Sequence, residues 1–453
     1  MKKYRRFSAR ASLASVGQYM RRLGIWTTVE HHVQIVQKVR KHKPLEKLLD
    51  AFINILAGGH GIVEVNTRVR PDEGLQRAFG RSSCADQSVI SETMNQCDQE
   101  VVDQMRQAMS ELIQTHSQSM QHNYQAQCLL LDVDMSGMPA GRQGEGVSKG
   151  YFSGQKNRRG RQLGRVTATL YDEIVVDRLY PGKRQLERSL PELVQAAVTV
   201  LGLTQYQRSR TILRVDAGGG TDRNLNGLLQ DDFQVLGKMK SGKRARKLAK
   251  SVTVWYPDPK LPGREVGWVE APFAYARTTR QLALRTRKKD GHWSYHVLVL
   301  TLSNDQLFWL ARLPLLKNPS PEQILFAALY AYDLRGGGIE TSNKGSKQGL
   351  GVTKRNKHLF AAQEMLLLLA QLAYNLITWT RNFLTQYTPL FRKFGVLRMV
   401  RDAFHIPGQI VLDAQGFLIS IRLQTTHPYA AAFFWALPAL VSLDDLSSNL
   451  HQI

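Results

Sequence analysis

Two aspartates in this sequence follow apolar runs that are typical of buried strands. Asp134 ends the run 128–134, and Asp216 follows the run 211–215. Strands that are buried on both faces read as near-continuous apolar runs of this kind. If the two strands are neighbours in one sheet, both carboxylates meet at its edge, where they repel each other unless cations bridge them. The residues therefore predict a site for hard divalent ions, which prefer oxygen ligands.

Glu340 supplies a third carboxylate. Lys344 and Lys347 follow it after four and seven positions and so share one face of a predicted helix. Two divalent ions about 3.5 to 4 Å apart can activate an attacking oxygen and stabilise the leaving oxygen of a phosphodiester. An aspartate after a strand is by itself more often a turn or cap residue. The three carboxylates together favour phosphodiester chemistry, and they leave open whether Asp132 or Asp134 is the first ligand.

The charge of the chain favours a polyanionic partner. Its 453 residues include 61 Lys and Arg against 37 Asp and Glu, a net charge of +24. A basic protein gains affinity for nucleic acid by displacing counterions from the phosphates. Two basic segments flank the carboxylates and are candidate DNA contacts: Arg158 and Arg159, with Lys156 and Arg161, and the run Lys243, Arg244, Arg246 and Lys247.

Other classes of protein fit the sequence poorly. The basic residues are spread along the chain instead of forming one cluster beside a membrane, and the apolar stretches 365–380 and 429–443 are shorter than a span of about 20 residues. No apolar h-region follows the basic N-terminus, so a cytoplasmic location is expected. Three scattered cysteines predict free thiols. The turn 218–220 lacks the Gly-Lys-Ser or Gly-Lys-Thr of a nucleotide-binding P-loop.

The periodicity of apolar residues changes along the chain. Residues 1–122 show helical patterns, and the segment 86–95 is either a DNA-recognition helix or an ordinary amphipathic helix. From residue 127 the predicted order is strand, strand, strand, helix (186–201), strand (211–215), helix (222–230), strand, which indicates an α/β core. Residues 239–320 alternate strand-like pieces with turns, and the chain then returns to helix from residue 321.

These residues resemble the DDE transposases of bacterial insertion sequences. Asp134 with Ser136 two positions later is similar to the first aspartate of that family, and the run 213–218 around Asp216 is similar to the second. In one subgroup a Tyr-Arg-Glu-Lys signature surrounds the catalytic glutamate. Tyr332, Arg335, Glu340 and Lys347 resemble this signature, with four residues between the Arg and the Glu where the family pattern has three.

The resemblance implies an α/β fold in which a ribonuclease-H-like mixed sheet with flanking helices is interrupted by a β-rich insertion and preceded by a helical N-terminal domain. The regions would be 1–122 (helical, DNA-binding), 123–238 (core, first part), 239–320 (insertion), 321–385 (core, second part) and 386–453 (C-terminal region).

The resemblance also implies a mechanism. The enzyme would bind the terminal inverted repeats of its element, hydrolyse the phosphodiester and use the freed 3′-hydroxyl for strand transfer. Asp134, Asp216 and Glu340 would hold two Mg²⁺ ions, with Mn²⁺ as a substitute, and Tyr332, Arg335, Lys344 and Lys347 would contact DNA. The partners would be double-stranded DNA of the element ends and target, and a second copy of the chain. The alternatives are an inactive or repurposed DNA-binding relative and a nuclease that cuts without joining.

Overall fold

The computed structural model describes residues 3–150, 152 and 157–440. Its strands are β1 (Tyr4–Ser8), β2 (Leu129–Pro139), β3 (Ser148–Lys149), β4 (Arg159–Ala168), β5 (Glu173–Pro181), β6 (Thr211–Val215), β7 (Gln234–Lys238), β8 (Tyr256–Pro257), β9 (Arg264–Trp268), β10 (Arg280–Arg287), β11 (Trp293–Leu300), β12 (Gly408–Leu412) and β13 (Leu418–Leu423).

The α-helices of the same residues are α1 (Ala11–Arg22), α2 (Ile25–His32), α3 (Pro44–Leu56), α4 (Val65–Arg68), α5 (Glu73–Ala78), α6 (Gln87–Asn95), α7 (Gln99–His116), α8 (Leu186–Leu201), α9 (Gln205–Ser209), α10 (Asp222–Gln230), α11 (Gly242–Leu248), α12 (Asn304–Leu310), α13 (Pro321–Arg335), α14 (Thr341–Lys344), α15 (Phe360–Tyr387), α16 (Val396–Arg398) and α17 (Ala430–Leu440).

A mixed sheet positions the two aspartates. Five of its strands run in the order β5-β4-β2-β6-β7, in which β5, β4 and β2 are antiparallel neighbours and β2, β6 and β7 are parallel. The parallel register pairs Val133 with Val215, so the next residue of each strand is an aspartate. The prediction that the two strands are neighbours is therefore confirmed. β2 continues beyond Asp134 to Pro139, paired with β4 alone, so Asp134 does not end the strand as predicted.

The two faces of this sheet differ because side chains alternate along each strand. One face is apolar throughout, with Leu131, Val133, Leu213 and Val215 packed beneath α8 and α10. On the other face, apolar residues such as Leu130 and Ile212 lie beneath α13. Further along, that second face becomes charged at Asp132, Asp134, Arg214 and Asp216, and this charged part lies at the end of the sheet where catalysis is predicted.

The predicted β-rich segment extends the same sheet. β11 pairs antiparallel with β7, and β10, β9 and β8 follow outward. The segment also contains α11 and α12. Its alternating pattern predicts strands, and the structure contains four, β8 to β11, although residues 252–255, which were also expected to be a strand, form none. The pattern carries no sign that β11 pairs with β7, because pairing partners distant in sequence leave no local signature.

The two ends of the chain pack together, which the sequence did not indicate. β1 pairs with β12, and β12 with β13, in a three-stranded sheet. A wholly helical N-terminal region was predicted, and this prediction is wrong because the region begins with the strand β1. The reason for the difference is that β1, Tyr-Arg-Arg-Phe-Ser, is too short and basic to read as a strand. The helices of residues 11–116 share one apolar core with residues 350–440.

The long helix α15 is the centre of that shared core. It is the helix among the described residues that is long and apolar enough to cross a membrane, but 89% of its most apolar window is buried inside the protein. Several of its polar side chains form hydrogen bonds within the fold. Asn375 donates to the carbonyl of Ile174 and accepts from the amide of the same residue, at 2.8 and 2.9 Å. α15 therefore reads as a core helix that covers the outer edge of β5.

Helical structure is continuous from residue 321 to 349 and carries the third carboxylate. It begins at a capping box, in which Ser320 accepts from the amide of Gln323, with Pro321 at the first helical position. Two π turns interrupt it, at Gly336–Glu340 and Gly345–Gly349. We refer to residues 321–349 as the Glu340 helix.

Candidate active site

Asp132 and Asp134 lie on the same face of β2 but have different surroundings. Asp132 is fully buried, and both of its carboxylate oxygens accept from Arg214 on β6, at 2.7 Å each. Its Oδ2 also accepts from the hydroxyl of Thr169 at 2.6 Å. Arg214 is itself buried and donates to the carbonyl of Ala331 in the Glu340 helix. This bidentate pair occupies Asp132, whereas Asp134 borders open space.

Asp134 is held by two residues of the Glu340 helix. Its Oδ1 accepts from Arg335 Nη2 at 3.1 Å, and its Oδ2 accepts from Asn343 Nδ2 at 2.9 Å. Arg335 Nη2 also donates to the carbonyl of Val133 at 2.9 Å. Burial raises the pKa of Asp134, Arg335 lowers it, and the charge of Asp216 raises it again. The parallel register of β2 and β6 brings Asp134 and Asp216 side by side, so their charges repel each other.

The first π turn explains how Arg335 and Glu340 can both belong to the site. The two residues are five positions apart, whereas an α-helix places residues four positions apart on successive turns. A π turn closes i→i+5 hydrogen bonds and so accommodates the additional residue. The one-residue departure from the family spacing is absorbed at Gly336–Glu340. A triple glycine in the sequence marks the position, but the π conformation itself was not predicted.

Two adjacent glycines of this turn differ in the space available for a side chain. A Cβ on Gly338 would lie 2.5 Å from Thr169 Cγ2 and 3.2 Å from Asp132 Oδ2, whereas a Cβ on Gly337 would meet nothing within 4 Å. We expect Gly338→Ala to destabilise the protein by about 1 to 3 kcal/mol through overpacking. Gly337→Ala should instead stabilise it by up to about 1 kcal/mol, because alanine restricts the unfolded chain. Denaturant midpoints of the two variants test this, and a shift in the same direction for both would contradict it.

A buried arginine on β4 anchors the other end of the Glu340 helix, and sequence reasoning missed it. Arg165 forms a bidentate ion pair with Asp177 of β5, at 2.6 and 2.7 Å. It also donates to the hydroxyls of Ser342 and Ser346, at 3.2 and 2.8 Å. The available signal was a charged residue inside each of two apolar strands, since buried charges are nearly always paired. Asn343 was also missed, although it lies only three positions after Glu340.

The three predicted carboxylates line one open cleft of about 730 Å³. Lys240, Lys344 and Lys347 line it as well, together with Ser136 and Asn343. Burial lowers the pKa of Lys347, and the charge of Asp134 partly offsets this. The prediction that Glu340, Lys344 and Lys347 share one face is therefore confirmed, and the cleft combines carboxylates with ammonium groups that can neutralise phosphate.

The donor atoms of the cleft suit a hard divalent ion, although the carboxylates do not form a closed cage. Within residues 3–150, 152 and 157–440, no three Asp, Glu, His or Cys side chains are grouped closely enough to hold a metal unaided. Magnesium sites commonly use one or two carboxylates and leave the remaining positions to water and substrate phosphate. Asn343 Oδ1 is buried in this cleft without a hydrogen-bond partner in the described part of the chain. The oxygen-rich, open arrangement fits an ion that is completed by substrate.

The other predicted DNA contacts lie at several places. On α11, Lys243, Arg246 and Lys247 are exposed, but Arg244 forms an ion pair with Asp222 and stacks on Phe273 with its Cζ 4.1 Å from the ring centroid. Arg244 is therefore less free to bind phosphate than predicted.

In the second basic segment, Arg158 is exposed and Arg159 half-buried, while Lys156 lies outside the described residues. Arg161 is buried and donates to the backbone carbonyls of Glu145, Lys357 and His358, so its guanidinium is engaged within the fold.

Tyr332 and Arg335, also predicted DNA contacts, do not line the cleft. Tyr332 is half-buried, and burial raises its pKa. Arg335 is buried and donates to Asp134 and to the carbonyl of Val133, so its guanidinium positions the carboxylate and is less free to bind phosphate than predicted.

Two aspartates that follow neighbouring strands and a glutamate on a helix share one cleft with lysines, an arrangement suited to carboxylate-dependent phosphodiester chemistry. Comparison with protein-family models identifies the family: the model described as "Transposase DDE domain group 1" matches residues 5–445. The chain belongs to this family and is a DDE transposase. Comparison with curated proteins gave no match.

One solved structure that resembles the chain is a "Cryo-EM structure of piggyBac transposase synaptic complex with hairpin DNA". It is 12% identical, with a TM-score of 0.43, and the match covers 85% of this chain and 80% of that one.

Proposed function

We propose that this transposase cleaves DNA at the ends of its element and joins the freed 3′ ends to target DNA. The observation that carries the proposal is the convergence of Asp134, Asp216 and Glu340 on one cleft that lysines also line. The strand order β5-β4-β2-β6-β7, with three antiparallel strands followed by two parallel ones, supports a ribonuclease-H-like core. Asp134 is the proposed first ligand, because Asp132 is occupied by Arg214 and Thr169.

Asp134, Asp216 and Glu340 would hold divalent metal, Mg²⁺ in the cell with Mn²⁺ able to replace it. When bound, the metal supplies Lewis-acid activation of the attacking oxygen and neutralises charge on the leaving oxygen. Two ions are proposed, as the resemblance implies. Asn343 and Arg335 orient Asp134 through both of its oxygens. These two bonds hold the carboxylate in one orientation, whereas a charged side chain on an open cleft without such partners would be mobile.

The basic residues of the cleft would bind the phosphates on either side of the cut. Lys344 and Lys347 follow Glu340 along the same helix and line the cleft. Lys240, just after β7, lines it as well but forms an ion pair with Glu187, so Lys344 and Lys347 are the main candidates. Tyr332, Arg335 and Lys347 resemble the Tyr-Arg-Glu-Lys signature apart from one additional residue between Arg335 and Glu340, and this resemblance supports membership of that subgroup. The exposed residues Lys243, Arg246 and Lys247 of α11 and Arg158 would extend the contact with duplex DNA.

The remaining parts of the proposal follow from the family. The DNA would be the terminal inverted repeats of an insertion sequence in a bacterium, and two copies of the chain would pair the two ends. The position of α6 does not distinguish a recognition helix from a packing helix: Ile90, Thr93 and Met94 are buried, and Ser88, Glu92 and Asn95 are exposed. A cytoplasmic location remains a prediction.

Supercoiled DNA that carries the native element ends provides the test. With Mg²⁺ and a second target plasmid, we expect nicked donor and joined donor–target products, and EDTA should abolish both while DNA binding persists. Nicking without joined products would instead identify a nuclease. Binding with neither reaction, in Mg²⁺ or in Mn²⁺, would identify a non-catalytic DNA-binding relative and overturn the proposal.

A further inference from the structure

A second cavity lies on the opposite side of the Glu340 helix from the carboxylate cleft. Leu334, Gly337, Gly338 and Thr341 line this cavity, whereas Glu340, Asn343, Lys344 and Lys347 line the cleft. We call it the back cavity; its volume is about 600 Å³. The helix between the two spaces is about 10 Å thick with its side chains. A group bound in the back cavity is therefore distinct from the phosphate that is cut.

The back cavity is strongly basic. Arg312, Arg392 and Lys393 line it, are exposed, and form no ion pair with any residue of the described chain. A fourth cation, Arg381, donates to Asp172 Oδ2 at 2.8 Å. Asp172 is the acidic residue of the lining, and its other oxygen accepts from Tyr374 at 2.6 Å. The one carboxylate is thus neutralised within the fold, and three positive charges are left unbalanced.

The wall of the back cavity also offers polar groups to a ligand. Thr167 lines it, and its Oγ1 is buried without a hydrogen-bond partner among the residues described. Buried polar atoms normally have a partner, so an unsatisfied hydroxyl in a cavity wall points to a bound group. Gly337 and Gly338 have no side chains, so the wall formed by the Glu340 helix leaves room for a bound group. An oxyanion with several acceptor oxygens fits the donors of Arg312, Arg392 and Lys393.

Arg312 stands just after α12 with a φ of 55°, in the left-handed region. Its amide donates to the carbonyl of Trp309, and the amide of Leu313 donates to the carbonyl of Phe308, which are the bonds of a Schellman helix C-terminus. The end of α12 therefore fixes the backbone that carries the Arg312 side chain at the cavity.

We propose that the back cavity binds backbone phosphate of DNA that lies outside the carboxylate cleft. The inference rests on the proposed function, because it assigns a second contact to the DNA of that reaction. The phosphate belongs either to the element end beyond the cleavage position or to target DNA. Both sources present the same chemistry, so labelled DNA must distinguish them.

Crosslinking from a single new cysteine tests the location. Gly395 lines the cavity, and a Cβ there would meet nothing within 4 Å, so Gly395→Cys leaves the cations in place. The native Cys84, Cys97 and Cys128 are buried, which limits labelling to the new thiol. An aryl azide on that thiol is photolysed with labelled end DNA and labelled target DNA in separate reactions, in EDTA. Glu322→Cys is the control, because Glu322 is exposed at the start of the Glu340 helix and lines neither the back cavity nor the cleft.

We expect crosslinks from Gly395→Cys well above those from Glu322→Cys, on the end DNA or on the target DNA according to the source. If end DNA is bound but Gly395→Cys gives no more crosslinking than the control to either DNA, the inference fails and the proposed function stands. If the wild type binds neither DNA, the proposed function is wrong, and the inference that rests on it is wrong as well.

The charge of the cavity is tested by the salt dependence of DNA binding. Each phosphate contact that is lost should reduce the slope of log K against log salt by about 0.9. The triple variant Arg312→Gln, Arg392→Gln, Lys393→Gln should therefore show a shallower slope, by about one to three times that amount. A charge-preserving triple variant, Arg312→Lys, Arg392→Lys, Lys393→Arg, should keep the wild-type slope. An unchanged slope in the first triple variant would overturn the proposal.

Discussion

Glu340→Gln should abolish DNA cleavage and strand transfer while DNA binding is retained. The substitution keeps the size of the side chain but removes one negative charge from the cleft that Asp134 and Asp216 share. Because divalent metal contributes several kcal/mol of stabilisation to such transition states, we expect cleavage to fall by at least about 100-fold. Stability should change little, since Glu340 is exposed. The measurement is the rate of nicking of supercoiled donor DNA.

The matched control for this prediction is Glu322→Gln. Glu322 is an exposed glutamate in the first turn of the same helix and lines neither the cleft nor the back cavity. It loses the same charge and should cleave at the wild-type rate. Equal activity of Glu340→Gln and Glu322→Gln would mean that the assigned glutamate is wrong. If Glu340→Gln loses DNA binding and Glu322→Gln does not, Glu340 has a structural role instead.

Asp132→Asn should mainly lower the stability of the protein, whereas Asp134→Asn should mainly lower its activity. Asp132 is fully buried in a bidentate pair with Arg214, so its replacement leaves a buried guanidinium without its counter-charge. Breaking a buried ion pair from one side costs about 3 to 5 kcal/mol. Asp134 borders the cleft with 19% of its side chain exposed. Its neutralisation weakens the contact with Arg335 but also removes the repulsion by Asp216, and Arg335 keeps its bond to the carbonyl of Val133, so a neutral isostere is tolerated there. Asp134→Asn should change stability by less than about 1 kcal/mol.

Denaturant unfolding and the nicking assay together decide between the two aspartates. Asp132→Asn should unfold at clearly lower denaturant, whereas Asp134→Asn should unfold like the wild type and be at least about 100-fold less active. A double variant, Asp132→Leu with Arg214→Met, should recover stability relative to Asp132→Asn, because it removes both charges together. A stable, inactive Asp132→Asn beside an active Asp134→Asn would reverse the assignment.

Local elements of the core were well predicted from the sequence. The helices predicted at 186–201 and 222–230 and the strand at 211–215 have these bounds in the structure. Their periodicity is strong because each packs an apolar face on the same sheet. The basic residues and the three carboxylates are also visible in the sequence as residue types. Parallel pairing then places residues that follow two neighbouring strands side by side, as it does with Asp134 and Asp216.

Pairings between distant segments could not be predicted in this way. The joining of β1 to β12 and of β11 to β7 depends on which edges meet in three dimensions, and no local pattern encodes this. The π turn at Gly336–Glu340 is stabilised by its surroundings, since Gly338 fits closely against Thr169 and Asp132. Three glycines in a row predict a weak helix or a loop, because glycine disfavours helix by about 1 kcal/mol per residue.

The sequence alone determined the chemistry available to this protein, through its excess of basic residues and the carboxylates after its buried strands. Only the tertiary structure decided which aspartate faces the cleft. Asp132 and Asp134 occupy equivalent positions on one face of one strand, and they differ because Arg214 lies beside the first and the open cleft beside the second. The sequence does not distinguish a charged side chain that is paired with a neighbouring strand from one that faces solvent. The reason is that the partner comes from residues far away in the sequence.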